Sequence, residues 1–135
     1  MKFSTKAEYG LRALVNLAKN QGSGYYSLAQ IAKTEKISLA YLERLFAKLK
    51  KNNIVKSQKG IKGGYRLFKP ATQISVKEIF TCLEGKLTPY NCTCLDLSNI
   101  CKEVKCDCHI KIVWQKLEQE ISRTLSSIKL SDLIK

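Results

Sequence analysis

The sequence predicts a mainly α fold with a small β-wing: a winged helix-turn-helix followed by a long C-terminal dimerisation helix. Three observations predict it. Two helical patterns, residues 27–33 and 38–51, are separated only by the turn Thr34-Glu35-Lys36-Ile37. Two β-like runs follow, Ile54-Val55-Lys56-Ser57 and Tyr65-Arg66-Leu67-Phe68, either side of the glycine-rich tip Lys59-Gly60-Ile61-Lys62-Gly63-Gly64. Beyond residue 110, apolar side chains recur at helical spacing for about five turns. Helix, turn, helix, hairpin is an order that lays its second helix in the DNA major groove.

Each element has a local reason. Thr5-Lys6-Ala7-Glu8 is a capping-box pattern opening the first helix, whose inward stripe is Tyr9, Ala13, Leu14, Leu17 and Ala18. Gln21-Gly22-Ser23-Gly24 stops it, and Tyr25-Tyr26 forms a short extended entry to the next element. Ser27-Leu28-Ala29-Gln30 is a second capping box, with Leu28, Ile31 and Ala32 inward. Ser38 is the expected N-cap of the third helix, where Leu42, Leu45, Phe46 and Leu49 must pack on the core. Tyr65 is expected to pack the wing onto the body. Pro70-Ala71-Thr72-Gln73 breaks the chain after the wing. Ser75-Val76-Lys77-Glu78 is a third capping box, and Gly85 closes the helix it opens. Cys82 within that helix is expected to be a packed core thiol. The last long stripe is Ile110, Val113, Trp114, Leu117, Ile121, Leu125 and Ile128, and Ser131-Asp132-Leu133-Ile134 reads as a short terminal helix.

Charge separates the two halves of the 135-residue chain. Its net charge is +13, but residues 1–80 hold 16 Lys/Arg against 4 Asp/Glu, whereas residues 81–135 hold 8 against 7. A basic excess confined to the helix-turn-helix half is the footprint expected on phosphates. A merely solvated surface would spread its charge. No secretory signal is visible, and the apolar run 11–18 is interrupted by Arg12 and Asn16 and too short to span a bilayer. The expectation is a cytoplasmic protein without a membrane partner. Cytoplasmic chains disfavour disulfides, so six cysteines, five of them within 92–108, ask for another explanation. His109, the single histidine, has no serine nucleophile or paired carboxylate about it. No enzyme is expected.

The DNA-facing candidates follow from the helical wheel and the tip. Opposite the apolar stripe of the third helix lie Ser38, Ala40, Tyr41, Glu43, Arg44 and Lys48. Small residues, donors and cations are what a groove-reading face needs, with base contacts concentrated in the helix's first half. Glu43 borders that face, where it could accept from a cytosine amino group or repel phosphates; a solvated glutamate explains it equally well. In the wing, Lys59, Gly60, Lys62 and Gly63 combine charge with a backbone able to come close to phosphate or minor groove. The plain alternative is a tight hairpin with solvated lysines.

Beyond these readings, the chain resembles the Rrf2 family of bacterial transcription regulators. The resemblance rests on Met1-Lys2-Phe3-Ser4-Thr5-Lys6-Ala7-Glu8-Tyr9-Gly10-Leu11-Arg12-Ala13-Leu14, on Ile37-Ser38-Leu39-Ala40-Tyr41-Leu42-Glu43-Arg44-Leu45-Phe46, on the wing Lys59-Gly60-Ile61-Lys62-Gly63-Gly64-Tyr65, and on Leu83-Glu84-Gly85 before a cysteine loop. It covers nearly the whole chain. The family includes iron–sulfur regulators of the IscR kind, nitric-oxide sensors of the NsrR kind and cluster-free cysteine-metabolism regulators of the CymR kind. The resemblance implies a DNA-binding domain at 1–84, a cysteine-rich sensory loop at 85–109 and a dimerisation helix with tail at 110–135. It implies a homodimer on a palindromic operator of double-stranded DNA, acting as a repressor.

It further implies Cys92, Cys101 and Cys108 as ligands of a 2Fe-2S or 4Fe-4S cluster. Cys92 stands seven residues after Gly85 and Cys108 six before Trp114, as the family pattern asks, although the spacings between the three are longer than its commonest ones. Thiolates suit iron as soft, anionic donors. IscR-like proteins place a histidine three residues before the aromatic. Here that position is Lys111, and His109 is off register. The extra Cys94 and Cys106 make two Cys-x-Cys units, Cys92-Thr93-Cys94 and Cys106-Asp107-Cys108, which could hold zinc instead. Five near thiols could also act by direct oxidation. Iron–sulfur, zinc and a thiol switch all remain open at this point.

Overall fold

Leu42, Phe46 and Leu49 are fully buried and Leu45 nearly so, as their spacing demands, and the fold is assembled around them. The computed structural model describes residues 3–87 and 111–135. In chain order they form α1 (Thr5–Asn20), α2 (Leu28–Glu35), α3 (Leu39–Lys51), β1 (Val55–Gln58), β2 (Gly64–Leu67), a 3-10 turn (Ala71–Gln73), α4 (Val76–Glu84), α5 (Lys111–Ser127) and a second 3-10 turn (Leu130–Leu133). This is the mainly helical, winged architecture that the sequence predicts.

The inner faces of α1, α2, α3 and α4 enclose one core with Leu14, Leu17, Ile31, Leu42, Phe46 and Ile79 at its centre. Burying each such side chain is worth about 1.5–3 kcal/mol. The α2–α3 turn is sharp because Lys36 takes a left-handed conformation, φ 57°. The wing is antiparallel, with Val55 opposite Leu67, Lys56 opposite Arg66, Ser57 opposite Tyr65 and Gln58 opposite Gly64. It is tied back to the body where Tyr26 and Tyr65 exchange two backbone hydrogen bonds of 2.8 Å. The Tyr65 ring meets Phe46 edge-on with centroids 5.1 Å apart, so Tyr65 packs the wing as expected.

Three local expectations are corrected. Ser4, not Thr5, is the N-cap of α1, its hydroxyl accepting from the Lys6 N–H at 3.2 Å. Thr5 is thereby left free to bond elsewhere. Ser27 does precede α2 but makes no side-chain capping bond, so the second capping box does not form. Ser75 and Glu78 do make theirs in both directions, at 3.1 and 3.0 Å. Cys82 is only half-buried rather than a core thiol, because it falls on the edge of α4 facing the end of α3.

The tail after α5 returns to the core. Leu130 is fully buried, its N–H donating to Ile74 O at 2.8 Å, while Val76 N–H donates to Ile128 O at 2.9 Å. The terminal helix is thus a single 3-10 turn with one anchoring side chain. By contrast α5 buries no residue, and Ile112, Val113 and Leu117 are exposed at 54%, 56% and 41%. Among the described residues, no helix is long and apolar enough to cross a membrane.

Candidate nucleic-acid interface

The outer face of α3 is set by its own inner one. Since Leu42, Leu45, Phe46 and Leu49 point inward, Ser38, Ala40, Glu43, Arg44 and Lys48 are turned to solvent, and Tyr41 lies half-buried at the edge. The Ser38 hydroxyl caps the helix by accepting from the Tyr41 N–H at 3.4 Å, which leaves its own proton available as a donor. Tyr41 is held by α1. Its hydroxyl is 3.2 Å from Thr5 Oγ1, and its ring meets Tyr9 edge-on at 6.0 Å. Neither contact was foreseeable from helical periodicity, which carries no information on neighbouring elements.

Among the described residues, Arg44, Lys48, Lys59 and Lys62 have no ion-pair partner. Arg12 pairs with Glu35 at 3.2 Å and Lys69 with Glu78 at 2.9 Å, while lysines elsewhere, such as Lys19, Lys33 and Lys77, are likewise without an ion pair. What sets these four apart is their place, side by side on the outer face of α3 and the exposed wing tip. Burial pushes the Tyr65 hydroxyl's pKa up, and the charge of Glu43 adds to it.

At the wing tip, Gly60 has φ +110° and its carbonyl accepts from the Gly63 N–H at 3.0 Å. A side chain at Gly63 would collide with Gln58 O, 2.2 Å from the added Cβ. At Gly64, φ is +142° and Tyr26 O would stand 2.4 Å from a Cβ. Lys59, Gly60 and Lys62 are exposed, Gly63 partly so. Between the two lysines Ile61 is wholly exposed, a feature the sequence reading missed although an apolar residue in a charged glycine turn was the available signal. Such a tip, apolar between two cations, matches the wedges that proteins insert into the minor groove.

The expected metal ligands Cys92, Cys101 and Cys108, and the further candidates Cys94, Cys106 and His109, lie outside the described residues. Within the described residues no group of three or more His, Cys, Asp or Glu could hold a metal ion. Cys82 lines a surface cavity of about 420 Å³ with Asn52, Ile54, Lys77, Glu78 and Thr81. Its Sγ donates to Lys48 O at 3.4 Å. Burial raises its pKa, against the opposing hydrogen bond to Asn52 and the charge of Lys48. A protonated thiol is a poor ligand. Cys82→Ser is accordingly expected to leave iron and sulfide content unchanged in protein purified without oxygen; a clear fall would count Cys82 among the ligands.

Residues 3–135 match the Rrf2 family, described as "Iron-dependent Transcriptional regulator". The transcriptional regulator IscR of Cereibacter sphaeroides is 37% identical over 137 residues, covering 100% of this chain and 88% of that protein. The structure of CymR, the global cysteine regulator of B. subtilis, superposes with a TM-score of 0.81 at 33% identity, covering 99% of this chain and 96% of that one. IscR of T. potens does so with a TM-score of 0.76 at 36% identity, covering 99% and 86%. The Cereibacter sphaeroides relative is named as a transcriptional regulator and the B. subtilis one as a cysteine regulator, neither as an enzyme.

Proposed function

Because the chain belongs to the Rrf2 family of transcription regulators, we propose that it is a cytoplasmic, homodimeric repressor whose DNA affinity is set by an iron–sulfur cluster. The observation that carries the reading is the unpaired cationic face, Arg44 and Lys48 on α3 with Lys59 and Lys62 on the wing, in a chain with five cysteines shortly after α4. In this reading Ser38, Ala40, Tyr41, Glu43 and Arg44 face base edges in the major groove. Lys48, Lys59 and Lys62 meet phosphates, with Gly60 and Gly63 allowing the close approach. The exposed Ile112, Val113 and Leu117 of α5 receive the same helix of a second copy, and two reading heads then meet two half-sites of a palindrome.

The donor set fits iron: Cys92, Cys101 and Cys108 supply three soft thiolates. Bound there, a cluster would supply fixed charge and a redox- and nitric-oxide-sensitive centre. The chain's own part is mechanical. Segment 85–110 joins the end of α4 to the start of α5, and α5 packs on α4 while its tail is bonded to the Ile74–Val76 backbone. A change of state in that segment therefore biases how the two reading heads are spaced.

The test is oxygen-free purification with a visible spectrum, iron and sulfide analysis, and footprinting upstream of the protein's own gene. Replacing Cys92, Cys101 and Cys108 together by alanine is expected to remove the iron and shift operator affinity at least about tenfold, a change of about 1.4 kcal/mol. Equal affinity of the loaded protein and the triple-alanine variant would sink the switch. A second reading, a cluster-free or zinc-stapled regulator responding to thiol chemistry, is favoured by Lys111 where IscR-like proteins carry a histidine, and by the likeness to CymR. Colourless, metal-free protein would select its thiol form, and zinc without sulfide its stapled form.

A further inference from the structure

The last turn of α4 grips the first turn of α1. Glu84 Oε1 accepts from the Ser4 N–H at 3.0 Å, from the Ala7 N–H at 3.2 Å, and from the Ser4 hydroxyl. Phe80 meets Phe3 with ring centroids 5.2 Å apart. Leu83 covers Gly10 so closely that a Cβ there would stand 2.2 Å from Leu83 Cδ1. The first N–H groups of a helix lack partners within it, and the helix dipole favours a carboxylate beside them. In α1 that carboxylate comes from a residue 77 to 80 positions away in sequence.

The same turn of α1 holds the reading helix. Thr5, between the two residues bonded to Glu84, reaches the Tyr41 hydroxyl at 3.2 Å, and Tyr9 one turn on abuts the Tyr41 ring. Tyr41 is thus fixed by α1, and α1 is fixed by Glu84.

We propose that Glu84 is a positioning residue for DNA recognition, holding the first turn of α1 and, through Thr5 and Tyr9, the place of Tyr41 on the face of α3. The inference rests on reading α3 as the DNA-contacting helix. Glu84 itself touches no base. It stands directly before Gly85, the closing glycine of α4, and eight residues before Cys92. The role is distinct from the spacing of the two heads, because it acts within one copy.

The experiment compares the full-length protein with E84A, E84Q and Y41F on two duplexes. One is the fragment upstream of its own gene that the wild-type protein protects, the other a scrambled duplex of equal length and composition. E84A is expected to lower the preference for the first by about tenfold while leaving the salt slope on the second unchanged. E84Q, which keeps an acceptor oxygen but not the charge, is expected to recover part of the loss. In a Y41F background, which removes the Thr5 link but keeps the ring against Tyr9, E84A should cost less than it does in the wild type. A merely structural Glu84 would lower the melting temperature and leave the preference of the folded protein intact, which would overturn the proposal. Amide hydrogen exchange without DNA gives an independent readout: E84A, or E84Q if E84A does not fold, should speed exchange at residues 4–7 and also at 38–44. Change confined to 4–7 would refute the relay. Absence of any preference in the wild type would instead refute the reading of α3, and exchange would still decide the relay.

Discussion

Duplex binding is expected to weaken by about 10³–10⁵ when salt is raised from about 50 to about 200 mM. Affinity for DNA comes largely from releasing counterions, one for each phosphate neutralised. Each chain offers Arg44, Lys48, Lys59 and Lys62 without internal partners, so a dimer offers about eight such charges and a slope of log K on log salt near −7. Replacing Lys59 and Lys62 by alanine removes about four of these charges and should flatten the slope by roughly 3 to 4. The wing has no other cation at its tip, and neither lysine supports a buried partner, so stability should hardly change. The measurement is fluorescence anisotropy of a labelled duplex across a salt series. A flat slope in the unmodified protein would remove DNA from the account altogether.

Phe46→Ala is expected to destabilise the fold by about 3–5 kcal/mol. Domains of this size are stable by only about 5–15 kcal/mol, so much of the margin would be lost. Phe46 is fully buried at the centre of α3, and its ring is the surface on which Tyr65 rests edge-on. Truncation therefore opens a cavity beneath the reading helix and removes the seat of the wing in one step. Urea unfolding followed by circular dichroism reads the first effect as a lower midpoint at unchanged slope. Tyrosine emission should also change, as Tyr65 gains access to water. A loss below about 1 kcal/mol would mean that the site collapses to fill the cavity, against the close packing described.

The parts of this molecule legible in its sequence are those governed by spacing within one element. The inward stripe of α3, the Ser75–Glu78 box and the glycine tip are local patterns, and each stands where its pattern puts it. What escaped is tertiary. Thr5 has the right chemistry for a cap, yet Ser4 takes that role and Glu84 completes it from across the fold. Ser27 lies at the right position, yet its hydroxyl makes no cap bond. Cys82 has helical neighbours that suggest burial, but the end of α3 covers only one side of it. Periodicity showed that α5 has an apolar stripe without saying what covers it: Val113 and Leu117 are exposed, whereas Trp114, Ile121, Leu125 and Ile128 are partly buried. For the proposed DNA face, helical phase alone separated outer residues from inner ones, while the tethering of Tyr41 needed the position of α1.

The return of Leu130 to Ile74 also dictates the order in which the molecule can be made. A nascent chain presents α1 to α4 early, but their shared core lacks its last side chain until 56 further residues have been added after Ile74. At about 5–20 residues per second that is a wait of roughly 3–11 s. The cysteines at 92–108 are all added within that interval, before Leu130 exists to complete the core. Translation speed between Ile74 and Leu130 thus sets how long an unfinished reading head is exposed to other chains.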